Sequence, residues 1–486
     1  SPAMTPEKIT SWEEADQALA TLAHTRRELF TLVTWRDEGL MKLRAEYLKR
    51  AQERLLILPG AMTVYARGDG AYVYARDGRR FLDGNARAGQ VSFGHNNPLI
   101  YETDQKMREA GAQCFETIGD FWQTEIKVNG VHYEISPPAL AELLVSLTYG
   151  SDAYVVPQVS GTLATNSLIK ICERLRPDRR IFVSFDGAYH GRSGAALSLT
   201  NARGIQKHRN APGLQVAHIP FVATAEDAEQ AVAVLTRIDP SYINAAFFEG
   251  VQSVGGMRSQ SPEHVMSVLK FLQNAGALIF TDEIYSGFHR TGKRFSFQYY
   301  DFVPDGIAMA KVIGQGLPIS AAIVQKGIFE REGKDAREVC PIGWEGGTFN
   351  WASLPVARGI VGLSHYEKEN IGGHVAAMAE YFDEKAGAVL RVFNHGRAEP
   401  IAHLTGRGLM RGFCFRAGKK PLPKLRDAVG AEMFKEGVIF TGAGHEAINP
   451  TLIFTPPLII EKTHIDEFAA ALEPSLARAW ASVGLE

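Results

Sequence analysis

Residues 277–292 read ALIFTDEIYSGFHRTG, and residues 306–321 read GIAMAKVIGQGLPISA. Each opens as a short apolar run and breaks off at charge: Asp282-Glu283 in the first, Lys311 in the second. IFVSF (181–185) and AAFFEG (245–250) have the same form. Between two of these runs, SPEHVMSVLKFLQNAG (261–276) sets Val265, Val268, Leu269 and Leu272 at helical spacing, with Pro262 early and Gly276 past the end. Strands that are apolar throughout, separated by amphipathic helices, predict a largely parallel sheet covered on both faces. In such sheets ligands gather beyond the carboxyl ends of the strands, so the polar residues ending the runs are the candidates for chemistry.

Working outward, the alternation of strand-like and helix-like text extends from about 150 to 325. Residues 11–56 predict a helical arm, with Ser11 and Glu14 at capping-box spacing, ended by Leu58-Pro59-Gly60. From 61 to 95 short alternating runs flank Asp77-Gly78, a hairpin signal. Residues 111–136 form a long connection that could line or cover a pocket, although padding is the simpler use. After about 360 helical text returns, closing on a turn and a last helix. The expected division is a helical extension (1–46), a first part of a small domain (47–96), a large domain (97–360) and the rest of the small domain (361–486).

Of the 486 residues 45% are hydrophobic and 22% charged, and the formal net charge is -2. That balance carries no basic stripe for nucleic acid or an anionic membrane surface. No apolar run reaches the roughly 18 to 20 residues of a membrane helix. The four cysteines lie at no zinc-ligand spacing, so no metal is expected, and their scatter fits a reducing compartment. The opening SPAMTPEKIT lacks the basic and apolar stretches of a signal peptide, so a cytoplasmic location is expected.

The chemistry is sought at five places. Ser160-Gly161-Thr162 stands between a strand-like run and a helical stripe, where free N–H groups and a hydroxyl suit a phosphate. Tyr189, in FDGAYHG, could stack on a flat heterocycle. Asp282, beside an apolar run, calls for a cation or a protonated ring nitrogen as partner. Lys311, at the mouth of a buried strand, suits a desolvated amine able to form an imine. Gly346-Gly347-Thr348 offers another flexible backbone with a hydroxyl. Alone, each has an ordinary use as a cap, a core ring, a surface acid, a solvated lysine or a loop.

Their order changes the odds. From about Tyr47 onward, SGTLATNSLIK, FDGAYHGRSG, FFEGVQSVGG, FTDEIYSGFHRTGKRF, GIAMAKVIGQGLPISA and WEGGTFNWASLPVA resemble the class III pyridoxal-phosphate aminotransferases of fold type I. The resemblance implies an α/β large domain with a mostly parallel sheet of the seven-stranded type and a smaller α+β domain built from both termini. It implies pyridoxal 5′-phosphate held as an aldimine by Lys311, which then moves protons, with Asp282 on the ring nitrogen. Ser160, Gly161 and Thr162 would bind phosphate, Tyr189 and Ile284 would bracket the ring, and His190 and Tyr285 would also contact the cofactor. Thr348 would reach the neighbouring subunit's phosphate, in a homodimer with shared sites. Glu249 would lie between cofactor and substrate. The implied reaction moves an amino group from an amine or non-standard amino acid to a keto acceptor through a pyridoxamine form. An aminomutase, epimerase or decarboxylase on the same scaffold is the alternative, and a non-catalytic cofactor-binding protein a third.

Four positions depart from the family pattern. Leu163 replaces an acid, and Gly250 a proline. Tyr285 stands where a glutamine commonly meets the ring's phenolic oxygen, so its hydroxyl is expected to take that contact. Ile453 occupies the place of an arginine that clamps a substrate α-carboxylate, which removes a planar, bidentate cation. A substrate without an α-carboxylate is therefore expected, or one bound by another residue. Arg87, in DGNARAGQVSFGHNNP, is the first candidate anchor and Arg411 the second.

Overall fold

The structure, a computed structural model, describes residues 65–114, 122–202, 205 and 213–483. The helical arm expected over 11–56 lies outside the described residues. Seven strands form the central sheet in the order Ala153–Gln158, Ser320–Gln325, Gly306–Met309, Leu278–Asp282, Ile243–Phe248, Ile181–Phe185, Gln215–Ile219. The four apolar runs of the sequence occupy four contiguous places in it. Pairing is parallel along those four and on to the Gln215–Ile219 edge, whereas Ser320–Gln325 runs antiparallel to both its neighbours. The α/β expectation is met, with one reversed strand that the sequence did not announce.

Every residue of Ile243–Phe248, Leu278–Asp282 and Gly306–Met309 is buried, because the strands are covered on both faces. Alternate residues divide between the two covers. Phe247, Leu278 and Phe280 pack with Ala164, Leu168, Ile171 and Leu175 of the helix Gly161–Leu175. Ala246, Phe248 and Ile279 pack with Val265, Val268, Leu269 and Leu272 of the helix Pro262–Asn274, capped by Ser261. Each buried Val, Leu, Ile or Phe among these contributes about 1.5 to 3 kcal/mol, so the strand ends sit on a rigid base.

Two smaller sheets stand apart from this one. Strands Tyr65–Asp69, Tyr72–Ala75 and Arg80–Asp83 form a meander, and the last pairs in parallel with Val438–Ile439. Ala402–Arg407, Met410–Ala417, Thr451–Phe454 and Thr441–Ala443 form a second, antiparallel sheet. The long connection is not all loop. Thr124–Val128 and Val131–Ile135 make a hairpin turning at Asn129-Gly130, both at positive φ as that turn requires. Its Ile126, Val128 and Ile135, with Trp122, are core residues. Residues 115–121 of the connection lie outside the described residues.

Candidate active site

A cavity of about 400 Å³ opens where the central strands end. Its wall includes Ser160, Gly161, Thr162, Tyr189, His190, Glu249, Asp282, Ile284, Tyr285 and Lys311. Thr348, Arg87 and Arg411 stay outside it. Thr348 is exposed, and so is Arg87.

At one side the helix Gly161–Leu175 begins, with Ser160 accepting from the Leu163 N–H. Its first-turn N–H groups have no partner within the helix, and the dipole favours an anion there. Close packing explains the glycines. A β-carbon on Gly161 would come within 2.8 Å of Ile284 Cδ1, and one on Gly191, at φ +134, within 2.7 Å of Thr162 Oγ1.

Asp282 ends its strand almost fully buried. Its Oδ2 lies 2.8 Å from His190 Nδ1, and its Oδ1 accepts from the Ile284 N–H at 3.1 Å. Burial opposes charge on His190, but the hydrogen bond and charge of Asp282 outweigh it and raise the ring's pKa. The pair holds the carboxylate in one orientation.

Lys311 follows the Gly306–Met309 strand with φ +44, a left-handed conformation that a lysine adopts only under constraint. Enclosure pulls its amine below the ordinary lysine value, and the nearby Asp282 and Glu249 carboxylates offset only part of that. Glu249 accepts from the N–H groups of Tyr189, at 3.0 Å, and Ser253, at 3.3 Å. Burial pushes it up to about 7, with His190 pulling the other way. Ile453, where the family resemblance implies an arginine, packs with Val251, Met257, Met410 and Ala443, with Tyr285 against them.

Three of the sequence candidates have other neighbours here. The Tyr285 hydroxyl, which the sequence reading gave to the cofactor, bonds to Thr455 Oγ1 at 2.8 Å, while Lys311 Nζ lies 5.0 Å from the ring centroid. Arg87 sits in a turn where Ala86, Arg87 and Ala88 all have positive φ; Ala88 and Gln90 line the cavity, while Arg87 is exposed. Arg411 is spent on Asp383, at 2.6 Å. The arginine that does line the cavity is Arg192, whose Nε donates to the Tyr189 hydroxyl at 3.2 Å. Sequence reasoning passed over it, although it stands three residues past Tyr189 in FDGAYHGRSG.

A family model described as Aminotransferase class-III matches residues 59–476. The chain belongs to the class III aminotransferases. Acetylornithine aminotransferase of Archaeoglobus fulgidus is 27% identical over 83% of this chain and 93% of the relative. The 2-aminoadipate transaminase of Pseudomonas putida is 27% identical over 85% and 95%. In fold the chain is similar to the pyridoxamine-phosphate-bound aminotransferase of Vibrio fluvialis, with a TM-score of 0.77 at 20% identity over 98% of this chain and all of the other.

This class III aminotransferase is a pyridoxal-phosphate-dependent enzyme, and its donor set fits that cofactor. A helix N-terminus with a hydroxyl suits the phosphate, a buried, oriented carboxylate suits a protonated ring nitrogen, and a desolvated amine suits covalent attachment. When bound, the cofactor supplies an electrophilic carbonyl and an electron-accepting ring. Among the described residues no helix is long and apolar enough to cross a membrane.

Proposed function

We propose that this enzyme takes the amino group from an amine with no carboxylate on the reacting carbon and passes it to a keto acceptor. One observation carries the reading: the Lys311 amine, the Asp282 carboxylate and the start of the Gly161–Leu175 helix share a single cavity. In this reading Lys311 anchors the cofactor, and enclosure, which lowers its pKa, favours the free base that moves a proton from the substrate carbon. Asp282, oriented by His190, holds the proton of the ring nitrogen. Ser160, Gly161 and Thr162 hold the phosphate, and Tyr189 and Ile284 bracket the ring.

The substrate class follows from Ile453. With an apolar cluster where an arginine would stand, an α-carboxylate would lose a charge-assisted pair of about 1.5 to 3 kcal/mol. Arg192, exposed like Arg87 but lining the cavity wall, is the better anchor for a remote acid than Arg87, which lies outside it. A homodimer is proposed because Thr348, exposed and outside the cavity, would meet a phosphate only across an interface. A cytoplasmic location is consistent with four free cysteines. The division into a large domain, 97–360, and a small one from 47–96 and 361–486 is supported by the Arg80–Asp83 strand pairing with Val438–Ile439.

The test is Lys311→Ala. Borohydride reduction of the loaded wild type should fix the cofactor on Lys311, found by peptide mass spectrometry. The variant should retain the fold, lose the reducible link and lose turnover. A reduced cofactor on another lysine would refute the assignment. Half-reaction spectra against α-amino acids, ω-amino acids and plain amines test the substrate class.

A further inference from the structure

Tyr285 is clamped from two sides. Its hydroxyl donates to Thr455, which donates in turn to the Asn85 carbonyl at 3.2 Å. Gly89 lies against the ring: a β-carbon there would come 3.2 Å from Tyr285 Cε1. The Gly89 carbonyl is itself fixed, receiving Arg290 Nη2 at 3.0 Å. Between Asn85 and Gly89 run three non-glycine residues at φ 47, 53 and 60. Strain of that kind persists only where the surroundings over-determine it, and it gathers at functional sites.

We propose that Tyr285 is a positioning residue for Lys311, its clamped ring face giving the free ammonium a resting place inside the cavity. This rests on the reading of Lys311 as the proton carrier. The 5.0 Å from Nζ to the ring centroid is within the roughly 6 Å reach of a cation–π contact. The charged groups around the amine explain the use of such a place. Asp282 and Glu249 both attract it, and His190 and Arg192 also line the wall. An ammonium paired to Asp282 would compete for the carboxylate that the ring nitrogen needs. One paired to Glu249 would be drawn towards the Tyr189 and Ser253 loop segments. The ring face holds a cation without using up a carboxylate.

The experiment reads the amine in the apoenzyme, without turnover. Competitive acylation with trace acetic anhydride, from about pH 6 to about pH 11, gives the titration of Lys311 by peptide mass spectrometry. A ring face stabilises the ammonium, so its removal should lower the midpoint. Tyr285→Leu and Tyr285→Met should each be acylated at Lys311 roughly three- to thirtyfold faster than wild type below the midpoint. Tyr285→Phe keeps the ring face and its packing on Gly89 but loses the Thr455 bond, so its shift should be smaller than that of either the Leu or the Met variant. An unchanged midpoint in both the Leu and Met variants overturns the proposal, and so does a Phe variant that shifts as far as they do. Should the Leu variant not fold, the Met and Phe pair decides. Borohydride reduction with pyridoxal phosphate separates the two readings. If Lys311 is not the marked residue, the proposed function fails; if it is marked but its acylation profile does not respond, only the role of Tyr285 fails.

Discussion

Glu249 and Glu283 follow neighbouring parallel strands, both are buried, and burial pushes both up to about 7. Their surroundings differ. Glu283 accepts from Ser286 Oγ at 2.6 Å, Ser296 N at 2.9 Å, Ser296 Oγ at 2.9 Å and Phe297 N at 3.0 Å. A carboxylate has about four lone-pair sites, so that acid is fully spent. Glu249 accepts two backbone N–H groups and faces the cavity. Equal burial thus hides unequal availability. What separates a structural acid from one free to meet a ligand is the number of donors already engaged.

Asp282, one residue before Glu283, offers the strongest way to break this comparison. Its oriented carboxylate opens on the cavity, so Asp282→Asn should slow the single-turnover half-reaction about 10² to 10³-fold while cofactor stays bound. An unchanged rate would mean that availability at this strand end carries no chemistry. Glu283→Ala should behave in the opposite way. It leaves four donors in a dry interior, which should cost about 3 kcal/mol in denaturant unfolding, with kcat per folded site close to wild type. A large loss of kcat in fully folded Glu283→Ala would show that the spent acid is catalytic after all.

Glu249 sharpens the contrast through pH. Its folded pKa, about 7, lies above the usual 4.5, so the folded state binds more protons than the unfolded one between those values. Its contribution to stability is therefore present below about pH 4.5 and lost as pH rises through about 7. Glu249→Gln removes that loss. Between about pH 5 and 8 the apo variant should lose less stability than wild type, by on the order of 2 kcal/mol. Parallel stability profiles for the two proteins would mean that Glu249 ionises like an exposed acid.

What the sequence made legible follows the same division. Buried parallel strands are apolar throughout and end abruptly, so Ile243–Phe248, Leu278–Asp282 and Gly306–Met309 could be read, and the residues ending them located the cavity. The hairpin at Asn129-Gly130 carries its own signal, a turn dipeptide between alternating runs, within the stretch that sequence length alone marks as a long connection. Two features left no local mark. The left-handed turn puts Ala86, Arg87 and Ala88 at positive φ before it reaches Gly89, so three of its four residues give no sign of it, and that turn leaves Arg87 outside the cavity. The Tyr285 hydroxyl is settled by Thr455, 170 residues away in sequence. Such a contact belongs to the folded chain and has no spacing to read.

The three arginines considered as anchors repeat the lesson of the two acids on a smaller scale, and they give the smallest expected effect. Arg411 is engaged by Asp383, Arg87 is exposed outside the cavity, and Arg192 lines the wall with one donor on the Tyr189 hydroxyl. A guanidinium has five N–H donors, so Arg192 keeps capacity for a substrate carboxylate. Arg192→Ala also removes the bond to Tyr189, which should slow acidic and neutral amines alike. The diagnostic quantity is therefore the ratio of kcat/KM for an acidic amine to that for a neutral amine of matched shape. One charge-assisted pair corresponds to about tenfold or somewhat more in that ratio. Arg87→Ala should leave the ratio within about twofold of wild type, because that charge lies outside the cavity wall and is separated from a bound substrate by screening solvent. A tenfold fall in the Arg87 variant and none in the Arg192 variant would reverse the assignment. It would also mean that the turn at 86–88 rearranges to bring Arg87 inward when substrate binds.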